Sequence, residues 1–255
     1  MSKFVATLAL AGALVSGTAV AEPAKPTVVL VHGAFADSSS WNGVIEILQK
    51  DGYPVLAAAN PLRSVAYDAA HVSDVVASIP GPVVLVGHSY GGQVISNAAK
   101  GHDNVKSLVY VAAFAPEAGE AAADLAGKFP GGTLAQALAS PVKLAEGGVD
   151  LYIDQAKFHQ QFAHDVAPQQ AALMAAGQRP ITEAALTEKS GEPAWKALPS
   201  WFVYGDGDKN IPAAALRFMA ERAGSRQTVV VEGGSHVVMV SKPQAVADLI
   251  EQAAQ

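Results

Sequence analysis

The sequence predicts an α/β fold: a doubly wound, mostly parallel sheet with an inserted helical cap. Three observations lead there. From residue 27 onward, short apolar runs alternate with amphipathic stretches, the βαβ rhythm of a parallel sheet. A Gly-x-Ser-x-Gly pentapeptide, Gly87-His88-Ser89-Tyr90-Gly91, joins an apolar run to a helical one. Between Ala112 and Pro199 the rhythm stops, and Ala-rich helical segments broken by Gly and Pro hold no convincing strand. A single crossover helix needs about 15 to 25 residues with its loops, so the remainder reads as an insertion, the cap, at about 115–195.

Each element has its own signature. Thr27–Val31 (TVVLV) is a buried strand running into a Gly-containing turn, and Gly43–Lys50 has helical spacing at Val44, Ile47 and Leu48. Tyr53–Ala57 is the next strand and Asp68–Ser78 the next helix. Pro82–Val86 (PVVLV) is apolar throughout, as a strand covered on both faces must be. Gln93–Ala99 is a helix, Val105–Val111 and Ser200–Tyr204 (SWFVY) are strands, Thr228–Val231 is the last strand, and Pro243–Ala254 closes the chain as an amphipathic helix.

Residues 1–21 read as a leader rather than as fold. Lys3 gives a positive start, Phe4 to Val15 an apolar stretch, and Ala19-Val20-Ala21 a small-x-small cleavage site. Cleavage after Ala21 makes 22–255 one domain, exported to the periplasm or secreted, with no stable membrane insertion; uncleaved, the same stretch would be an N-terminal anchor. No Cys follows the apolar stretch, which excludes a lipid-anchored form. The 255 residues are 50% hydrophobic and contain no cysteine at all, so thiol nucleophiles, Cys-based zinc sites and redox Cys pairs are excluded. A chain this long buries a core without staples. The net charge is −6 and no basic run occurs, which argues against nucleic acid as a partner.

The chemistry gathers in loops that follow strands. In Gly87–Gly91 the glycines permit a sharp strand-to-helix turn that exposes Ser89, backed by a helix N-terminus, and Gly92 adds room for close packing. A serine hydroxyl needs a base. Of the seven histidines, His236 follows the last strand in Gly233-Gly234-Ser235-His236, at the sheet edge where catalytic groups collect. His32 and His88 sit inside turn motifs and read as structural; His71 and His102 read as surface positions. His159 and His164 in the cap are poorly spaced for a shared helix face, so no metal site is expected. The base needs a carboxylate to fix its tautomer. Gly205-Asp206-Gly207-Asp208 offers two; the spacing favours Asp208, with Asp206 left as a turn cap. For the oxyanion, the backbone N–H groups of Tyr90 and Ala34 are the candidates, the latter in the turn His32-Gly33-Ala34-Phe35. Phe35, Trp41 and Tyr90 are candidate substrate contacts, with Phe114, Phe158, Phe162 and Met174 added from the cap side.

With VLVHGAFADSSSW, VLVGHSYGG, YGDGDKNIP and GGSHVVMVSKP in place, the chain resembles the α/β-hydrolase superfamily across its whole mature length. It is similar in particular to the branch holding plant methyl esterases, hydroxynitrile lyases and their bacterial relatives. The resemblance implies a Ser89, Asp208, His236 triad, Ala34 and Tyr90 as oxyanion donors, and a cap where the Ala112–Pro199 interval falls. Lyases of this branch carry Thr where this chain has Gly33 and Lys where it has Val237, so the resemblance favours esterase. The expectation is an exported serine carboxylesterase acting on a small-molecule ester through an acyl-enzyme, without cofactor or metal, as a monomer or homodimer. A thioesterase, lactonase, amidase or perhydrolase would use the same residues, and a non-catalytic ligand receptor on the same fold is the alternative from another class.

Overall fold

The computed structural model describes residues 24–255, and the leader read at 1–21 lies outside them. Nine strands and eleven α-helices follow in chain order among the described residues. Strand β1 (Thr27–Val31) leads through a single 3-10 turn at Ser38–Trp41 into α1 (Asn42–Lys50) and β2 (Val55–Ala58). Then come α2 (Val65–Ala77), β3 (Val83–His88), α3 (Tyr90–Ala98) and β4 (Val105–Val111).

The interval after β4 carries α4 (Ala122–Gly127), α5 (Leu134–Ala137), β5 (Val142–Lys143), β6 (Val149–Leu151), α6 (Gln155–Phe162), α7 (Pro168–Gly177), β7 (Ile181–Thr182) and α8 (Glu183–Thr187). The core resumes with β8 (Ser200–Gly205), α9 (Ala213–Arg222), β9 (Gln227–Val231), α10 (Val238–Ser241) and α11 (Pro243–Ala253).

The core sheet has six strands in the order β2-β1-β3-β4-β8-β9, every pair parallel. The chain turns one way after β1 and the other way after β3. Right-handed crossovers therefore place α1 and α2 on opposite faces, and α11 packs beside α1 while α3 packs beside α2. All six residues of β3 are buried, which explains why its sequence never alternates. The reversal between β1 and β3 is the switch point at which open α/β sheets leave a crevice beyond their C-terminal strand ends.

Several elements differ from the sequence expectation. The inserted interval is not purely helical: β5, β6 and β7 form a three-stranded antiparallel sheet. Strands of two or three residues are too short to display a period of two, and both residues of β5 are exposed. The structure adds a crossover helix, α9, between the strands expected at Ser200–Tyr204 and Thr228–Val231, and the chain enters it through Pro212. Helix α2 starts at Val65 rather than Asp68 because the Ser64 hydroxyl caps it, accepting from the Tyr67 N–H at 3.1 Å. Helix α3 starts at Tyr90, three residues before the expected Gln93, since Gly91 and Gly92 hide the helical pattern.

The inserted interval is tied to the core by charge-assisted bonds. Arg63, in the loop after β2, donates through Nη1 to Asp150 of β6 at 2.7 Å and through Nη2 to the Pro180 carbonyl at 2.9 Å. Thr182 answers with bonds from Oγ1 to the Arg63 carbonyl and from N to the Leu62 carbonyl. Arg222 on α9 forms a fork with Glu120, at 3.0 and 2.8 Å. Among the described residues no helix is long and apolar enough to cross a membrane.

Candidate active site

Four loops meet beyond the C-terminal ends of β1, β3, β8 and β9. Ser89 follows β3 with φ 54° and ψ −124°, a backbone conformation unfavourable for a residue with a side chain. Two structural causes hold it there. The Ser89 carbonyl accepts from the N–H groups of Gly92 (3.0 Å) and Phe114 (3.1 Å). Behind it the first turn of α3 presses on β1 so closely that a Cβ at Gly91 would lie 2.5 Å from the Val31 carbonyl oxygen. The strain is therefore fixed by packing, and it leaves the hydroxyl at the cavity floor.

His236 and Asp208 complete a relay with this hydroxyl. Ser89 Oγ lies 2.8 Å from His236 Nε2, and His236 Nδ1 lies 2.6 Å from Asp208 Oδ2. The other oxygen, Asp208 Oδ1, accepts from the N–H groups of Asn210 (2.7 Å) and Ile211 (3.0 Å), which fixes the carboxylate plane. With a carboxylate at Nδ1, the imidazole carries its proton there and presents a bare Nε2 to the serine. Asp206 turns elsewhere: its Oδ1 accepts from the Gly233 N–H at 2.6 Å and caps the loop that bears His236. All three relay residues are buried.

The turn after β1 lies against the nucleophile. A Cβ at Gly33 would stand 2.6 Å from Ser89 Cβ and 2.7 Å from the His88 carbonyl oxygen, so only glycine fits. The Phe35 N–H is committed to the Arg179 carbonyl at 2.9 Å. No protein acceptor among the described residues takes the Ala34 or Tyr90 N–H, and these amides border the same space as Ser89. Tyr90 opens α3, where the helix dipole adds positive potential.

The other histidines take no part in the relay. Burial drives the His88 imidazole well below its ordinary pKa, with nearby His236 pushing the same way. It stays neutral and donates from Nε2 to the His236 carbonyl at 3.1 Å, which braces the histidine loop against the elbow. His32 is likewise lowered by burial, to about 4. His71 is exposed, while His102, expected at the surface, is half-buried with Nε2 2.6 Å from Ser73 Oγ. His159 and His164 donate to different carbonyls, of Val166 and Gly233, and do not converge.

Above the relay opens a cavity of about 320 Å³ whose wall includes Ala34, Phe35, Tyr90, Phe114 and Phe162 from the sequence candidates. The Tyr90 phenol faces away, donating to buried Asp68 at 2.8 Å. Three expected contacts are corrected. Trp41 is completely buried, edge-on to His88, and belongs to the core. Phe158 packs behind Phe162 at 4.9 Å between ring centres rather than on the cavity. Met174 lines a separate recess on the far side of Phe35. The residues that sequence reasoning missed are Ala122, Ala126, Leu134, Leu138 and Leu186 of the insertion, with Ile211 beside Asp208.

A family model described as the alpha/beta hydrolase family matches residues 28–249. This chain belongs to that family. Among its relatives, a pimeloyl-[acyl-carrier protein] methyl ester esterase of Aeromonas hydrophila is 30% identical over 247 residues, covering 89% of this chain and 94% of its own. An alpha-hydroxynitrile lyase of Arabidopsis thaliana is 27% identical over 246 residues, covering 88% of this chain and 95% of its own. The crystal structure of polyneuridine aldehyde esterase superposes with a TM-score of 0.78 at 19% identity, over 91% of this chain and all of that one, a likeness of fold. The branch anticipated from the motifs is thus the one in which this hydrolase-family chain finds its relatives.

Proposed function

We propose that this protein is an exported serine carboxylesterase that hydrolyses small, uncharged carboxylic esters. The observation that carries the reading is the unbroken relay from Asp208 through His236 to Ser89, at 2.6 and 2.8 Å, opening onto an apolar cavity. Ser89 Oγ attacks the ester carbonyl carbon as its proton passes to His236 Nε2. The carbonyl oxygen, now negative, is received by the Ala34 and Tyr90 N–H groups. Collapse of the tetrahedral intermediate breaks the bond to the alcohol, which leaves with the proton from His236. Water then repeats the sequence on acyl-Ser89 and releases the acid. Asp208 holds the imidazole in its working tautomer and offsets its charge while protonated.

The wall of the cavity supports the substrate class. Among the described residues no Lys, Arg, Asp or Glu lines it, so a charged acyl group would be buried without a partner there. The apolar leader with Ala19-Val20-Ala21 supports export. Protein recovered outside the cytoplasm should begin at Glu22; an N-terminus at Met1 or Ser2 would refute cleavage.

The decisive assay uses p-nitrophenyl esters from acetate to palmitate on the wild type and Ser89→Ala. Turnover should peak at short or medium chains and fall at least about a thousandfold in the variant. Ester hydrolysis retained by Ser89→Ala would overturn the mechanism.

A further inference from the structure

Resting on that reading, we propose that His32 is a positioning residue: its Nδ1–H holds the Gly33 carbonyl and thereby aims the Ala34 N–H at the oxyanion. The tautomer follows from the contacts. The backbone N–H of Asn60 lies 3.1 Å from His32 Nε2, and an amide N–H can only donate. Nε2 is therefore the bare nitrogen, the ring proton sits on Nδ1, and Nδ1 lies 3.0 Å from the Gly33 carbonyl oxygen. Asn60 closes the arrangement from the other side, its Nδ2 donating to the His32 carbonyl at 2.9 Å.

The Gly33 carbonyl and the Ala34 N–H are the two ends of one planar peptide unit. Holding the oxygen fixes the direction of the hydrogen. Without that hold, the unit could rotate and turn a carbonyl oxygen toward the place where negative charge develops. The donor would be replaced by a repelling dipole. The neighbouring peptide is pinned independently, by the bond from the Phe35 N–H to Arg179 and by a Phe35 φ of 61°. The turn is thus held at both ends, and His32 holds the end that matters for the oxyanion. Complete burial keeps the imidazole neutral and preserves the donor and acceptor pattern at neutral pH.

Two substitutions divide the two bonds. His32→Asn places an amide near the Nδ1 position, able to donate to Gly33 but too short to accept from Asn60. His32→Gln reaches Asn60 and leaves the Gly33 carbonyl without its donor. The expected result is a kcat for His32→Asn within about threefold of wild type. For His32→Gln, kcat should fall by about a hundredfold with KM nearly unchanged. Equal losses in both variants, a larger loss in His32→Asn, or a loss confined to KM would overturn the proposal.

Should neither variant fold, nitrogen-15 NMR of the wild-type imidazole at pH 7 decides. A protonated Nδ1 with bare Nε2 is expected, and a protonated Nε2 would refute the assignment. This readout needs no ester turnover. A wild type that shows the expected tautomer yet hydrolyses no ester sinks the esterase reading alone, while the wrong tautomer in an active enzyme sinks only the role of His32.

Discussion

Ser89, Asp208 and His236 each sit in a short loop leaving a core strand, whereas Leu134, Leu138 and Leu186, which face the same cavity, come from or border helices of four and five residues in the insertion. On the first side, position follows from the sheet: β3, β8 and β9 are parallel, so their exits lie at one edge. On the second side no long element dictates position, and the insertion is located by contacts such as Arg63 with Asp150 and Arg222 with Glu120. On the proposed reading, the sheet edge places the reacting groups and the insertion supplies most of the apolar wall that would face the substrate. Mutations on the two sides should therefore fail differently.

The largest effect should come from the sheet edge. Asp208→Asn should lower kcat by about 10² to 10⁴-fold, because the imidazole loses the partner that fixes its tautomer. Asp206→Asn should stay within about tenfold, since Asp206 only caps a turn. Steady-state kinetics on the pair would test whether adjacent carboxylates divide their roles as the geometry requires; equal losses would contradict it.

A stability effect on the same side comes next. His32 has a folded pKa of about 4 against an ordinary 6.5, so between these values the unfolded chain binds a proton that the native state refuses. Stability from this group is complete above about pH 6.5 and declines as pH falls toward 4, by about 3 kcal/mol in all. Burial of His88 acts in the same direction. Denaturant titrations at pH 7 and pH 4.5 should show the decline, and His32→Asn should flatten it.

On the insertion side the effects are smaller and selective. Leu186→Trp should narrow the cavity and cut kcat/KM for longer acyl chains by about ten- to a hundredfold, with acetate esters little changed. A uniform loss across chain lengths would place Leu186 outside substrate contact. The smallest effect belongs to the tether. Arg63→Met leaves buried Asp150 without its partner and should lower stability by about 1 to 3 kcal/mol, read as a drop in Tm at pH 7.

The same division explains what the sequence could disclose. Ser89, Asp208 and His236 were legible because each follows an apolar run and lies among glycines, and a turn at a strand exit leaves such a local mark. Asp206 and Asp208 could be ranked by spacing before their hydrogen bonds separated them. The cavity wall was not legible. Ala122, Ala126 and Leu138 look like ordinary composition, and only tertiary contact makes them neighbours of Ser89. Trp41 shows the opposite case: an aromatic close in sequence to the turn after β1 is carried by its 3-10 turn into the core, against His88. The strands of the small sheet were invisible because two residues cannot show a repeat.

Several hydrogen bonds join the insertion to the strand-exit loops, and one of them runs from the Phe35 N–H, in the turn after β1, to the carbonyl of Arg179 just before β7. On the proposed reading, that bond links the insertion to the turn that carries the Ala34 donor. An acyl chain that wedged residues 179–182 outward would draw on the backbone one residue beyond Ala34. Displacements of about 1 Å in such a donor can cost about a hundredfold in rate. An ill-fitting ester could then be held and yet be turned over slowly, so that selection operates as a delay in the bond-breaking step rather than as exclusion at the door.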